Sequence, residues 1–252
     1  MQIRILCKLK RIELINISFS SKAHDLKAAI NSYKDLKVNF PDKLFRLILI
    51  EGNLSIGENM TQEMLDILYP MDTEMDFNIS LALKLAAKGQ GIDYETQDSI
   101  NCTSKVLLNG LGADELFCGY SRYRVAYLRG EYSAVQEEMY LDQQRLWIRN
   151  LGRDDRIVSS EHKELRTPFL YFPLWNYCNS IPIEFNARMT EINDKKVWSN
   201  KLVLRSIAEK IGLTTCAQLT KRAIQFGTGI AKESNIQKYG SNRKGNGTYK
   251  LY

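Results

Sequence analysis

Nothing in this sequence is apolar for long enough to cross a bilayer. No stretch approaches the ~18 consecutive apolar residues that a span needs. Arg4, Lys8 and Lys10 interrupt the apolar residues near the start, so neither a signal peptide nor a membrane anchor is expected. Cysteine is thinly spread. The five cysteines, Cys7, Cys102, Cys118, Cys178 and Cys216, are odd in number and contain no CxxC pair, which argues against a disulfide framework and a zinc site. A reducing, cytoplasmic setting is expected. Only two histidines occur, His24 and His162, and neither has a second histidine or cysteine at metal-ligand spacing. Basic clusters are also missing. The net charge of +6 is scattered, and its densest run, Lys8 to Arg11, has Leu9 inside it, so no nucleic-acid partner is read. What is left is a chain of 252 residues, 44% hydrophobic and 25% charged, which is enough for a globular core in one or two domains. No feature of the sequence sets an oligomeric state.

Periodicity divides the chain. Ile12 to Phe19 alternates and is rich in β-branched residues, so it reads as a strand, and the Ser20-Ser21 pair after it is placed to cap a helix through Leu26, Ile30, Tyr33 and Leu36. Pro41 and Asp42 break the chain before Leu44 to Glu51, a nearly continuous apolar run typical of a buried strand. Helices are expected over Glu58 to Leu68 and about Asn78 to Lys88, with a third strand at Lys105 to Asn109. Strands alternating with helices imply an α/β fold with a parallel sheet covered on both faces. From Glu131 onward the pattern is helical and strand signals are absent. The tail Glu233 to Tyr252 is polar and glycine-containing and is expected to be disordered.

After the third strand comes Asn109-Gly110-Leu111-Gly112-Ala113-Asp114-Glu115-Leu116-Phe117-Cys118-Gly119-Tyr120. Ligands of doubly wound sheets bind beyond the carboxyl ends of strands. Gly110 and Gly112 would let the backbone turn and approach a ligand. Asp114 and Glu115 are adjacent carboxylates, which suits a magnesium ion or a reacting group. The same residues also fit a glycine turn followed by an acidic helix start.

Across the chain the order of motifs resembles the synthetase domain of glutamine-dependent asparagine synthetases, whose element at this point is SGxGSDExxxGY. The likeness is greatest to the branch of asparagine synthetase domain-containing proteins, which carry Ala in place of the second Ser. Further elements follow in the family's order: Met71-Asp72-Thr73 with Asp76; Arg149 to Arg156 (RNLGRDDR); Glu164 to Leu170 (ELRTPFL); Lys201 to Arg205 (KLVLR); and Lys221 to Gly227 (KRAIQFG). The resemblance covers roughly Ile12 to Lys232. It implies a PP-loop ATP pyrophosphatase-like (adenine nucleotide alpha hydrolase-like) fold. Residues 1–11 lie outside it, 12–130 would be the α/β part and 131–232 the helical part of a partial synthetase domain, with 233–252 as a tail.

The resemblance also implies roles. Such enzymes adenylate the side chain of aspartate with ATP and magnesium, release pyrophosphate, and let ammonia, drawn from glutamine, attack the acyl-adenylate. Asp114 matches the residue that holds magnesium and pyrophosphate, with Gly110 and Gly112 beside the nucleotide. Glu115 matches the glutamate that takes a proton from ammonia. Lys201 and Lys221 match lysines along the triphosphate, where fixed positive charge offsets charge on the leaving group. Arg166 matches a substrate-side arginine, with a structural ion pair as its other reading. Three positions depart from the pattern: Ala113, Tyr171 where the family has aspartate, and Thr220 where proline often stands.

The family's nucleotide loop, SGGxDS, is expected ahead of the strand matched by Ile12 to Phe19. The first glycine here is Gly52, so that loop is absent from this sequence and the parallel sheet is read as truncated at its N-terminus. No glutaminase domain with an N-terminal catalytic cysteine is matched either; position 2 is Gln2. The expectation is a fragment of a longer ligase. The alternatives are a noncatalytic binding or scaffold protein of the same descent and a different amide-forming or tRNA-modifying PP-loop enzyme.

Overall fold

The computed structural model describes residues 11–239. Strand β1 (Arg11–Ser18) leads through a turn into helix α1 (His24–Asn39) and strand β2 (Leu44–Glu51), with β1 and β2 parallel and in register from Arg11↔Leu44 to Ser18↔Glu51. The expected βα pattern is therefore present, with one local correction. The serines do not cap α1 with their side chains: the N-cap is Ala23, and Ser20 closes a turn instead, its carbonyl accepting from Ala23 N at 3.0 Å and its Oγ from Lys22 N at 3.3 Å. Tyr33, 2% exposed, packs α1 on the sheet and donates its hydroxyl to Phe45 O at 3.4 Å.

Helices α2 (Gly57–Leu68) and α3 (Glu74–Lys88) follow. The second begins earlier than Asn78 because Thr73 caps it, Oγ1 accepting from Asp76 N at 3.1 Å, and Gly89 ends it in the left-handed region at φ 70°. Strands β3 (Gln90–Asp93) and β4 (Ser99–Asn101) then extend the sheet, β3 antiparallel to β2 and β4 antiparallel to β3, giving the order β1-β2-β3-β4. Neither is long enough to show an alternating pattern in the sequence. The expectation of one parallel sheet is corrected here. Strand β5 (Val106–Leu108) does not join β1 and β2; its partner is β6 (Glu164–Arg166), parallel, in a sheet of their own.

Between them, α4 (Ala113–Leu116) and α5 (Ser121–Leu146) are followed by a π-helical turn, Trp147–Leu151, and α6 (Gly152–Ser159). The run of α5 breaks at Gly130 and Glu131, the latter at φ 53°. A 3-10 turn, Pro168–Leu170, leads to α7 (Phe172–Ser180) and α8 (Ile183–Asn186). The second half is not purely helical. Strands β7 (Arg188–Ile192) and β8 (Lys195–Ser199) form a hairpin whose loop, Asn193 (φ 50°) and Asp194 (φ 60°), is the two-residue turn with both central residues left-handed. The Asn-Asp pair was the readable signal for it. Helices α9 (Leu202–Lys210), α10 (Thr214–Ala217), α11 (Ile224–Gly227) and α12 (Ile230–Tyr239) complete the described chain.

Three apolar clusters hold these elements. The first joins Ile17, Ile48, Ile50, Met64 and Leu81 to Ile230 at the start of α12. Disorder from Glu233 is thus corrected as far as Tyr239: Ser234, 5% exposed, donates to Glu74 Oε1 at 2.8 Å, and Lys238 pairs with the same carboxylate at 3.4 Å. One buried isoleucine and these polar anchors order a helix that composition alone makes look like a tail. Residues 240–252 of the expected tail lie outside the described residues. Two motifs of the sequence also meet in the core. Arg153 of α6 bonds to Asp76 Oδ1 of α3 at 2.7 Å and to Asp154 Oδ1 at 2.8 Å, with all three side chains at most 10% exposed. Among the described residues no helix is long and apolar enough to cross a membrane.

Candidate active site

The site grows from the end of β5. Asn109 N donates to Arg166 O at 3.1 Å, extending the β5–β6 ladder by one bond, and Asn109 Oδ1 accepts from Leu111 N at 3.1 Å, which starts the turn. Gly112 lies at φ 95°, and a methyl group there would meet Leu170, so this position needs glycine on two counts. Gly110 does not share that need: a methyl group at Gly110 would meet nothing within 4 Å, and its freedom is not what turns the chain.

The turn hands the chain to α4, which sets Asp114 and Glu115 in different environments. Asp114, partly exposed, faces two lysines from the far end of the sequence: Lys201 Nζ lies 2.8 Å from Oδ1 and Lys221 Nζ 3.4 Å from Oδ2. The contact with Lys201 is an ion pair rather than an aligned hydrogen bond. Glu115 is 2% exposed and accepts from the Tyr120 hydroxyl at 2.6 Å. Burial raises its carboxyl above the ordinary glutamate range. The hydrogen bond from Tyr120 pulls the other way, and the nearby Asp114 and Asp142 add to the rise. Adjacent in sequence, the two carboxylates are therefore divided into one paired with cations and one desolvated.

Both lysines are held by packing that the motif spacing does not reveal. Lys201 sits at the start of α9 at φ 55°, a conformation that a lysine adopts only when its surroundings impose it, and its N–H donates to Phe117 O at 2.9 Å. Lys221 stands 4.6 Å from the centre of the Tyr120 ring. Arg205 ties the two segments together, its guanidinium donating to Asn200 O at 2.8 Å and Leu219 O at 2.9 Å. Beyond Lys221, Thr228 O accepts from Phe19 N at 2.8 Å, which brings this segment to the carboxyl end of β1. Lys221, with Gly119 and Tyr120, lines a cleft of about 1310 Å³ whose walls also include Arg122, Arg124, Lys196 and Arg222 beside one carboxylate, Glu209. Such a wall favours a polyanion.

With this geometry in place, the family comparison decides the kinship. The profile of the asparagine synthase family matches residues 94–134 and 126–234. The chain belongs to that family. It is 34% identical over 209 residues to asparagine synthetase domain-containing protein 1 of Bos taurus, covering 81% of this chain and 32% of the relative. The corresponding protein of Homo sapiens is 34% identical over 215 residues (84% and 33%), and an asparagine synthetase domain-containing protein of Drosophila melanogaster is 32% identical over 253 residues (93% and 42%). The chain thus spans about a third of the length of the first relatives it matches.

Within this asparagine synthase domain, four of the residues singled out in the sequence converge: Asp114, Glu115, Lys201 and Lys221. Arg166 is placed elsewhere. Its guanidinium pairs with Glu164 at 2.7 Å, both side chains exposed, which is the structural ion pair of the second reading. Three positions carried no assigned role in the sequence and have one in the structure. Gly119 leaves the space that the Asp114 carboxylate and the Lys201 chain occupy, Tyr120 bridges Glu115 to Lys221, and Arg205 anchors the lysine segments. Gly119-Tyr120 could have been found from its place in the motif, whereas Arg205 looks like any helical arginine.

The donor set bears on magnesium. Among the described residues no group of three or more His, Cys, Asp or Glu could hold a metal. One carboxylate, Asp114, already paired with two ammonium groups, is by itself a weak donor set for a magnesium ion.

Proposed function

We propose that the protein to which this chain belongs is an ATP-dependent amide ligase of the asparagine-synthetase type, with a PP-loop fold, making asparagine from aspartate, ATP and ammonia. Residues 12–232 are the part of its synthetase domain present here. The observation that carries this reading is the Asp114 carboxylate between Lys201 and Lys221, one residue from a buried carboxyl in Glu115. In this reading, ATP with magnesium activates the substrate carboxylate. The chain's own residues do the rest. Lys201 and Lys221 turn their charge from Asp114 to phosphate oxygens and stabilise the departing pyrophosphate. Glu115, its affinity for protons raised by burial, removes a proton from the ammonia that attacks the activated carbonyl as AMP leaves with the broken acyl–oxygen bond, and Tyr120 fixes its orientation.

Aspartate-dependent release of pyrophosphate by the full-length protein tests this. Release that stops when aspartate is withheld is the expected result; ATP binding without release overturns it.

A further inference from the structure

Arg122, in the first turn of α5, lines the basic cleft, but its guanidinium is turned to Asp142 of the same helix. Twenty residues of continuous helix would hold the two about 30 Å apart. The break at Gly130 and Glu131 folds the second half of α5 back on the first, where Tyr123 and Ala126 pack with Val135 and Met139, and the pair meets.

The contact engages both oxygens of a buried carboxylate. Arg122 Nε donates to Asp142 Oδ2 at 2.7 Å and Nη2 lies 2.5 Å from Oδ1, while the Tyr123 hydroxyl donates to Oδ2 at 2.8 Å. Two contacts of this kind fix the plane of a guanidinium as well as its position. So held, Arg122 lies over the Tyr120 ring, Cζ 4.2 Å from its centre. The Tyr120 hydroxyl, which burial and the Glu115 carboxylate keep protonated, is the donor to Glu115 at 2.6 Å. Neutralising Asp142 asks only for a cation, which lysine would supply. Gripping a carboxylate with two donors while presenting a flat cation to a ring asks for arginine.

We infer that Arg122 is a positioning residue for Glu115: locked on Asp142, it holds the Tyr120 ring where the hydroxyl reaches the Glu115 carboxyl. The inference rests on the role proposed above for Glu115 as the base. Lys221 Nζ stands 4.6 Å from the centre of the same ring, so the clamp bears on the surroundings of both groups.

The titration of Glu115 reports the clamp without any assay of the reaction. Its charged neighbours are Asp114, which carries Lys201 and Lys221, and Asp142 of α5; both carboxylates raise it, so losing the Tyr120 bond moves its titration further up. Carbon-13 NMR of this chain labelled at its glutamate carboxyls, with Glu115→Gln to identify the signal, follows that titration. Arg122→Lys, which keeps a cation beside Asp142, is expected to move Glu115 upward toward its position in Tyr120→Phe, and to add no shift in the Tyr120→Phe background. In the full-length protein the same variant should lower kcat for asparagine formation by about 3–10-fold, the scale of one hydrogen bond, with KM for ATP unchanged. Should Arg122→Lys fail to fold, Arg122→Gln is titrated in the same two backgrounds and the difference between its two shifts is read instead. An unchanged Glu115 titration, an equal shift with and without the Tyr120 hydroxyl, or a raised KM for ATP with kcat kept would each overturn the inference, the last because it puts Arg122 on the nucleotide. A native protein that makes no asparagine removes the proposed reaction, and the titration then decides the clamp by itself.

Discussion

Lys201 Nζ lies 2.8 Å from Asp114 Oδ1, although the two are far apart in the sequence, and Gly119 is what lets them meet. A side chain at Gly119 would overlap both the Asp114 carboxylate and the Lys201 methylenes. Its backbone is not left-handed, so the requirement is space and not conformation.

Gly119→Ala therefore separates folding from site geometry. The methyl group forces Asp114 off its lysines, and overpacking of this kind typically costs ~1–3 kcal/mol. Pyrophosphate release by the full-length protein should fall more than tenfold while secondary structure, followed by circular dichroism, is kept. Full activity in the alanine variant would remove Asp114–Lys201 from the mechanism.

Lys221→Ala is expected to lower the rate of pyrophosphate release by roughly 10²–10³-fold, the usual scale for deleting one fixed charge or donor at a developing anion. Single-turnover kinetics measure it. Because Asp114 keeps its shorter pair with Lys201 when Lys221 is removed, stability should change little. A variant that keeps its rate but melts early would show a structural lysine.

Glu115→Gln should lose about 10²–10⁴-fold in rate if Glu115 is the base, yet gain stability near neutral pH. The sign follows from burial. A carboxyl whose folded pKa is raised stabilises the fold while protonated and loses that contribution as pH rises through the folded pKa. Glutamine stays neutral throughout. Thermal melts from mildly acidic to alkaline pH should show the variant ahead at high pH and the gap closing as pH falls through the folded pKa. In the native protein the acid limb of activity should lie above the ordinary glutamate range, and Tyr120→Phe should move it further up by removing the hydrogen bond that favours the charged form.

Arg153→Ala leaves the buried carboxylates of Asp76 and Asp154 without their cation, a change that costs about 3–5 kcal/mol. Urea denaturation should show a lower midpoint for this variant. A loss under ~1 kcal/mol would mean that the pair contributes specificity and little stability.

The elements with strong local signals were legible in the sequence. The apolar run Leu44–Glu51, the β-branched alternation of β1 and the spacing Leu26, Ile30, Tyr33 and Leu36 all form what they encode, because their burial is decided within one strand or helix face. Strands β3, β4 and β6 were not legible. Each is at most four residues long and exists through its partner: β6 through β5, β3 through the edge of β2, and β4 through β3. The part of α12 from Glu233 to Tyr239 was hidden for a related reason, since its order comes from Ile230 and from Ser234 reaching Glu74.

The sequence by itself determined the family, the identity of the acidic pair and the glycine at position 112, because these depend on residue types in a fixed local order. Tertiary structure decided which charges share a site. It put Lys201 and Lys221 on Asp114, kept Arg166 on Glu164 at the surface, and buried Glu115 under Tyr120. Electrostatic interaction falls with distance through space and grows with the loss of water, and neither quantity is written in the spacing of residues along a chain.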